Sequence, residues 1–169
     1  TDTTPATFTW ISDLTNPQVG AFTVNGLTNA VDPVVISGAA TIAWTVSDSG
    51  GSFLKQADIW RAAYVNAGGA DCDEFDLSAC VWIQVQPGYS APASTNSWTA
   101  NTLYTFPATG DYWVGLHAVD NVSRWTGEGS LGPIWVTYTA AGTPPNPPSC
   151  VPGSGSFMGP QSVTCTTDP

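Results

Sequence analysis

Hydrophobic and polar residues alternate with a period of two in several short segments of the chain, most clearly in Thr41–Ser47 and Tyr112–Val119. Successive side chains of a β-strand point to opposite faces, so this alternation is typical of strands with one buried face. The residues predicted to face inward are Ile42, Trp44, Val46, Ile59, Tyr112, Val114 and Leu116. We expect them to form a core between two sheets.

Other segments have the composition of strands and are bounded by turn residues. They are Val19–Val24, Lys55–Arg61, Val81–Gln86, Leu103–Phe106 and Ile134–Thr139. No window keeps the spacing of an amphipathic helix, and 17 Gly and 14 Pro interrupt nearly every segment. About seven short strands joined by turns predict an all-β fold, an antiparallel β-sandwich.

The composition changes after Ala140, which predicts a domain boundary there. Residues 141–148 are rich in proline, which cannot supply N–H groups to a sheet, so they are expected to form a stiff linker. Residues 149–169 are too few for a core of their own and are expected to be part of a second module or an assembly tail. Residues 1–18 form an N-terminal extension ahead of the sandwich of residues 19–140.

Four segments resemble, in order, parts of fibronectin type III and bacterial immunoglobulin-like modules. Thr41–Asp48 is similar to strand B, Leu54–Arg61 to strand C, Phe106–Tyr112 to the E–F corner and Val114–Asn121 to strand F. The similarity covers about residues 19–139. It implies an immunoglobulin-like or fibronectin type III-like sandwich followed by an extended C-terminal segment.

The segment Cys150–Cys165 resembles the opening of the short β-sandwich repeats found at the C-terminal side of chitobiase-like enzymes and in many bacterial surface proteins. Such modules generally serve as spacers, adhesive repeats or carbohydrate-binding accessories. The two resemblances together imply one piece of a long extracellular chain.

The charge balance excludes two classes of partner. The chain has 3 Lys+Arg against 13 Asp+Glu, a formal net charge of −10, and therefore no basic patch for phosphates. Nucleic acid is excluded on this ground. Membrane insertion is excluded too, because no run approaches the roughly 20 apolar residues that a spanning helix needs.

The four cysteines form two local pairs, Cys72 with Cys80 and Cys150 with Cys165. Two short-loop disulfides are the expected use, although other pairings remain formally open. Disulfides and the low lysine content place the protein outside the cell or on its surface. The sequence Asn-Val-Ser starting at Asn121 is a candidate site for N-glycosylation.

The chain has few residues suited to catalysis. It contains one histidine, His117, no cysteine left free if both bridges form, and no nucleophile-elbow motif. The aspartates lie mostly in predicted turns, where their side chains cap backbone N–H groups. We therefore expect that the protein is not an enzyme and has no cofactor other than, as one hypothesis, calcium.

One candidate calcium site is the acidic insertion Ala62–Cys80. Four carboxylates occur within six residues, at Asp71, Asp73, Glu74 and Asp76, and Ca²⁺ favours such oxygen ligands. The segment does not match the EF-hand loop. The alternative is a solvated loop tied by the first cysteine pair.

A second oxygen-rich group is predicted where the B–C and F–G turns meet at one end of the sandwich. It would join Asp48 to Asp120 and Asn121. A metal site is one interpretation of these residues, and ordinary Asx-turns are the alternative.

Eight tryptophans are too many for one core of this size. Alternation predicts an outward-facing aromatic strip formed by Trp60, Trp82, Trp113, His117 and Trp135. Such a strip would suit sugar rings or a neighbouring subunit, since aromatic faces bury a large area at low entropy cost. The alternative is that Ala62–Cys80, or Ala6–Ile11, folds over the strip.

These observations lead to one function hypothesis and two rivals. The first is a non-catalytic structural or adhesive module of a secreted or surface multidomain protein. The rivals are a carbohydrate-binding accessory module that uses the exposed tryptophans, and a filament subunit joined by terminal strands. The expected partners are neighbouring modules or identical subunits, with polysaccharide as a further candidate.

Overall fold

The fold is all-β. A computed structural model describes residues 12–28, 32–65, 72–73, 77–85, 88–142, 149–151 and 164–166. Its strands are β1 (Gln18–Val24), β2 (Val34–Ser37), β3 (Ala40–Ser47), β4 (Leu54–Ala63), β5 (Ile83–Gln84), β6 (Tyr89–Ser90), β7 (Ser97–Tyr104), β8 (Gly110–Asp120), β9 (Trp125–Gly127), β10 (Ile134–Thr139), β11 (Ser149–Val151) and β12 (Thr164–Thr166). Leu77–Ala79 and Gly129–Leu131 form short 3₁₀ turns.

The strands of the main body form two sheets that enclose one core. The smaller sheet has the order β1-β3-β7, and the larger has the order β2-β10-β8-β4-β5, with β6 also paired to β4 and β9 to β8. The segments likened to strand B and to strands C and F thus lie in opposite sheets, as they do in immunoglobulin sandwiches. The predicted all-β sandwich is confirmed.

Alternating residues of both sheets fill the core, as the period of two predicts. Trp44 on β3 is 2% exposed, and its ring packs against Tyr89 and Trp98. All the residues predicted to face inward are buried. The larger sheet contributes, for example, Ile59 and Leu116, which lie opposite each other on β4 and β8.

The corner that leads into β8 is fixed by a tyrosine. The Tyr112 hydroxyl donates a hydrogen bond of 2.8 Å to the backbone carbonyl of Ala108, and the Tyr112 ring packs against Phe106. A tyrosine that bonds back to the chain a few residues upstream is characteristic of the E–F corner of immunoglobulin-like sandwiches.

Some predicted details need correction. The sheets are not purely antiparallel, because β2 pairs in parallel with β10. The strand predicted at Leu103–Phe106 is instead the end of β7, which begins at Ser97. The prediction began this strand at Leu103 because that residue is apolar, but Leu103 is 68% exposed. The half-buried face of β7 instead includes Thr102. Of the strand predicted at Val81–Gln86, Ile83–Gln84 forms within the described residues 81–85, and Gln86 lies outside them.

The short strands β2, β6 and β9 were not predicted, since each has four residues or fewer and shows little alternation. Beyond the sandwich, β11 pairs antiparallel with β12 and places Cys150 opposite Cys165. The remaining linker and tail predictions concern residues outside the described part. No helix among the described residues has the length and apolar character that a membrane crossing requires.

Candidate functional site

Three buried aspartates meet at one end of the sandwich. Asp13 precedes β1, Asp48 follows β3, and Asp120 is the last residue of β8. One ligand oxygen from each lies within 4.8 Å of the others, and all three residues are buried. We call this group the carboxylate cluster.

Asp48 is held by the glycine-rich turn between β3 and β4. Its Oδ1 accepts a hydrogen bond from the backbone N–H of Gly50, and its Oδ2 accepts a longer bond of 3.4 Å from the Ser52 hydroxyl. A Cβ atom on Gly50 would lie 1.7 Å from Oδ1 of Asp13, so only glycine allows the turn to approach that carboxylate.

Asp120 is bonded through only one of its two oxygens. Oδ1 accepts backbone N–H bonds from Val122 at 2.9 Å and Arg124 at 2.7 Å, which closes the turn before β9. The other oxygen, Oδ2, is buried and has no hydrogen-bond partner, in a residue that is 0% exposed. A buried carboxylate oxygen without a partner is unusual and calls for an explanation.

Asp13 links the N-terminal segment to this end of the sandwich. Its two oxygens accept backbone bonds from Thr15 and Ser52, and its own carbonyl accepts a bond of 2.8 Å from Arg124 Nε. Hydrogen bonding from Ser52 and Thr15 lowers the pKa of Asp13 below its ordinary value, and the nearby Arg124 charge adds to this effect. The Asp13 carboxyl is therefore ionised at neutral pH.

The sequence-based prediction for this end is correct for two residues of three. The structure brings Asp48 and Asp120 together, as predicted. Asn121 instead donates its amide N–H groups to the carbonyls of Ser52, Phe53 and Leu54. That nitrogen is the atom to which an N-linked glycan would be attached, and glycosylation at Asn121 stays a prediction.

Asp13 was missed, because it lies in the extension of residues 1–18, which was not assigned to the sandwich. Its only local signal is the spacing to Thr15, which is typical of an Asx-turn and does not indicate a partner in a distant loop.

The acidic insertion is described only in part. Asp71, Glu74 and Asp76 lie outside the described residues, so the calcium hypothesis for that segment stays a prediction, while Asp73 is buried. The predicted disulfide between Cys72 and Cys80 is present.

The predicted aromatic strip lies on the outer face of the larger sheet. The register of β4 and β8 places Asp58 opposite His117, Trp60 opposite Gly115 and Ala62 opposite Trp113. Trp135 on β10 lies opposite Trp113. Trp60, Trp113, His117 and Trp135 thus lie on one face of the sheet, while the binding role predicted for the strip stays a prediction.

One half of this face is covered by the insertion Ala62–Cys80, so for Trp113 the structure decides between the two alternatives in favour of the covered strip. Trp113 is 4% exposed, and its Nε1 donates a hydrogen bond to the carbonyl of Cys72. The Tyr64 ring stacks on Trp135 with centroids 4.7 Å apart. Trp113 and Ala62 form a second apolar cluster with the residues packed around them, which are Tyr64, Cys72, Leu77, Cys80, Trp82 and Trp135.

The other half of the face is open and forms a groove of about 280 Å³. Its lining residues are Trp60, Trp82, Gly115, His117 and Glu128. Gly115 forms the floor, since a Cβ atom there would lie 3.3 Å from both the Trp82 ring and Glu128 Oε1. Glu128 is fixed because its Oε2 accepts a hydrogen bond from the Leu116 backbone N–H. We call this site the aromatic groove.

His117 lies at the edge of the groove between two indoles. Its ring stacks on Trp125, with centroids 4.7 Å apart, and packs at 5.4 Å against Trp60. Burial lowers the pKa of His117 below its ordinary value, and the negative charges of Glu128 and Asp58 partly oppose this shift. Trp125, 57% exposed, was missed because it lies on β9, an unpredicted strand.

Comparison with known protein families and with curated proteins finds no match. Among solved structures, the chain is similar to a cellulose-active polysaccharide monooxygenase from M. thermophila, with a TM-score of 0.41 and 16% sequence identity. The similarity covers 73% of this chain and 60% of that one, so the chain spans less than two thirds of that structure. A likeness at this level assigns neither an activity nor a ligand.

The prediction that the protein is not an enzyme nevertheless requires correction, because this similar structure is that of an enzyme. The prediction rested on the lack of a nucleophile motif and of paired catalytic carboxylates. Those criteria cover only some classes of catalysis. We do not retain the prediction, and the function proposed below does not depend on it.

Proposed function

We propose that this protein is an extracellular carbohydrate-binding β-sandwich module, whose aromatic groove holds a sugar unit of a polysaccharide. The observation that carries the proposal is the pair of indoles, Trp60 and Trp82, that line one groove together with the fixed carboxylate of Glu128. Indole faces stack on the apolar faces of sugar rings, while carboxylates accept hydrogen bonds from sugar hydroxyls.

The size and polarity of the groove support a small, partly polar ligand. Its volume of about 280 Å³ is close to the lower end of the roughly 300–1,000 Å³ typical of ligand sites. Glu128, Asp58 and His117 supply further polar groups at or beside the groove.

An extracellular location is supported by the Cys72–Cys80 disulfide, since disulfides persist in oxidising compartments. The two resemblances to modules of extracellular chains agree with this placement. The class of ligand that an extracellular module would meet is then polysaccharide, at a cell surface or in its surroundings.

The experiment is affinity electrophoresis of the full chain in gels that contain soluble β-glucan, xylan, mannan or starch, with depletion by insoluble cellulose and chitin in parallel. We expect retardation or depletion with at least one polysaccharide. Trp60→Ala should weaken it by at least about tenfold, as loss of a central aromatic contact does. Gly115→Ala should also weaken it, because the added Cβ narrows the floor beside Trp82.

The matched control is Trp135→Ala, which removes an indole from the covered half of the same face. This variant should bind as the parent chain does, after circular dichroism has shown that each variant keeps its β-structure. Binding to none of these polysaccharides, or an equal loss in Trp60→Ala and Trp135→Ala, would refute the proposal. It would favour a role in extension or adhesion.

A further inference from the structure

We propose that Asp13, Asp48 and Asp120 bind one Ca²⁺ ion, which fastens the N-terminal segment to the end of the sandwich. The carboxylate cluster is separate from the aromatic groove, so this inference does not rest on the carbohydrate proposal. The first observation is the concentration of negative charge in the cluster. Negative charges on three carboxylates whose oxygens lie within 4.8 Å repel one another, and burial strengthens this repulsion by reducing solvent screening.

The protein's own groups do not balance this charge. Arg124 is the cation beside the cluster among the described residues, and its Nε is directed to the Asp13 backbone carbonyl. Three carboxylates and one guanidinium leave a formal charge of −2. A divalent cation would neutralise it.

The second and independent observation is the unsatisfied oxygen of Asp120. Backbone N–H groups bind Oδ1 and hold the carboxylate in place, while Oδ2 is buried without a hydrogen-bond partner. Asx-turn geometry accounts for Oδ1 but leaves Oδ2 unexplained. A cation bound to Oδ2 would offset the cost of burying it.

The donors indicate the kind of ion. They are all oxygens, the carboxylates of the three aspartates with the Ser52 hydroxyl beside them, and no histidine or cysteine belongs to the cluster. Such a set suits hard cations. Calcium is favoured over magnesium, because the aspartates come from three separate chain segments, and Ca²⁺ tolerates irregular geometry whereas Mg²⁺ demands a near-ideal octahedron.

The site would connect segments that are distant in sequence. Asp13 belongs to the segment before β1, while Asp48 follows β3 and Asp120 ends β8, two strands of opposite sheets. An ion held by all three would join the two sheets at this end and fix the N-terminal segment against them. Its binding should therefore raise the thermal stability of the folded chain.

In the test, calcium is first removed from the full chain with EGTA, and the chain is then titrated with Ca²⁺. Isothermal titration calorimetry measures binding, and thermal unfolding measures the change in stability. We expect one ion per chain and, at about 100 times the dissociation constant, a rise in Tm of roughly 5–10 °C. Magnesium should bind more weakly. No calcium binding up to millimolar concentrations, or tighter binding of Mg²⁺ than of Ca²⁺, would overturn the proposal.

The deciding variant is Asp120→Asn. Its amide oxygen keeps the acceptor for Val122 and Arg124, while an N–H₂ group replaces the unpartnered oxygen, so affinity should fall by more than about tenfold. Asp48→Asn is a second variant of the same kind, with its acceptor for Gly50 retained, should the first fail to fold.

Two controls separate this site from other carboxylates. Asp111→Asn changes a carboxylate near the start of β8 that is bonded to Thr137, and it should leave calcium binding unchanged. Asp73→Asn tests the acidic insertion. Calcium binding that survives Asp120→Asn and Asp48→Asn but is lost in Asp73→Asn would assign the ion to the insertion and refute our proposal.

Discussion

The two halves of the outer face of the larger sheet are built from the same strands but differ in exposure. Trp113 and His117 lie four residues apart on the same side of β8. Trp113 is sealed by the insertion and bonded to Cys72, whereas His117 borders an open groove. The side on which a residue lies is set by strand alternation, but its exposure is set by what the loops cover.

The difference has energetic consequences. The covered half is a small second core, in which aromatic area is removed from water and contributes to stability. The open half keeps aromatic area available to a ligand. Substitutions in the covered half should therefore lower the stability of the fold, whereas substitutions in the open half should weaken ligand binding.

The largest expected effect is on stability, from Trp113→Ala. This variant would leave a cavity under the insertion and a lost hydrogen bond to Cys72, so we expect a cost of about 3–5 kcal/mol in the free energy of unfolding. Urea unfolding followed by circular dichroism measures it. Trp125→Ala, at the exposed end of the open half, is the control and should cost less than about 1 kcal/mol. Similar costs for both would show that the insertion does not seal Trp113.

A smaller effect is expected from opening the cover itself. The double variant Cys72→Ser/Cys80→Ser removes a bridge that closes a loop with a sequence separation of 8, worth roughly 2–3 kcal/mol in the chain-entropy model. Unfolding in urea should shift accordingly. The covered half should also become more accessible, so quenching of tryptophan fluorescence by acrylamide should increase.

The control for this experiment compares the parent chain with the double variant when both are reduced, because reduction also breaks the predicted Cys150–Cys165 bridge. The two reduced chains should behave alike. Unchanged quenching would mean that packing of Tyr64 on Trp135 holds the cover without the bridge.

The sequence predicted the framework of the molecule because its strong signals are local. Alternation in β3 and β8 identified the core, and the same alternation gave the outward direction of Trp60 and His117. The pairing of Cys72 with Cys80 followed from their proximity in the chain. These features depend on spacings of only a few residues.

The parts that were missed depend on contacts between distant segments. Asp13 approaches Ser52 across a separation of 39 residues, and Trp113 reaches Cys72 across 41. Loop closure over such distances leaves no periodic signal in the sequence. Burial of Trp113 under Ala62–Cys80 was one of two alternatives that the sequence left open, and the third aspartate of the cluster became evident only in three dimensions.

The smallest expected effect concerns His117, the chain's one histidine. Its folded pKa is lowered by burial, so below an unfolded value of about 6.5 the unfolded chain binds more protons than the folded one. The stability that the neutral ring contributes is present above that pH and is lost as the pH falls through the folded pKa. His117→Gln should remove this component and lose less stability than the parent chain between pH 7.5 and 5.5, as urea unfolding at each pH would show. If the parent chain instead gained stability relative to the variant on acidification, the charges of Glu128 and Asp58 would outweigh burial. The open half would then be a site that favours a positively charged ligand over the neutral, partly apolar ring of a sugar.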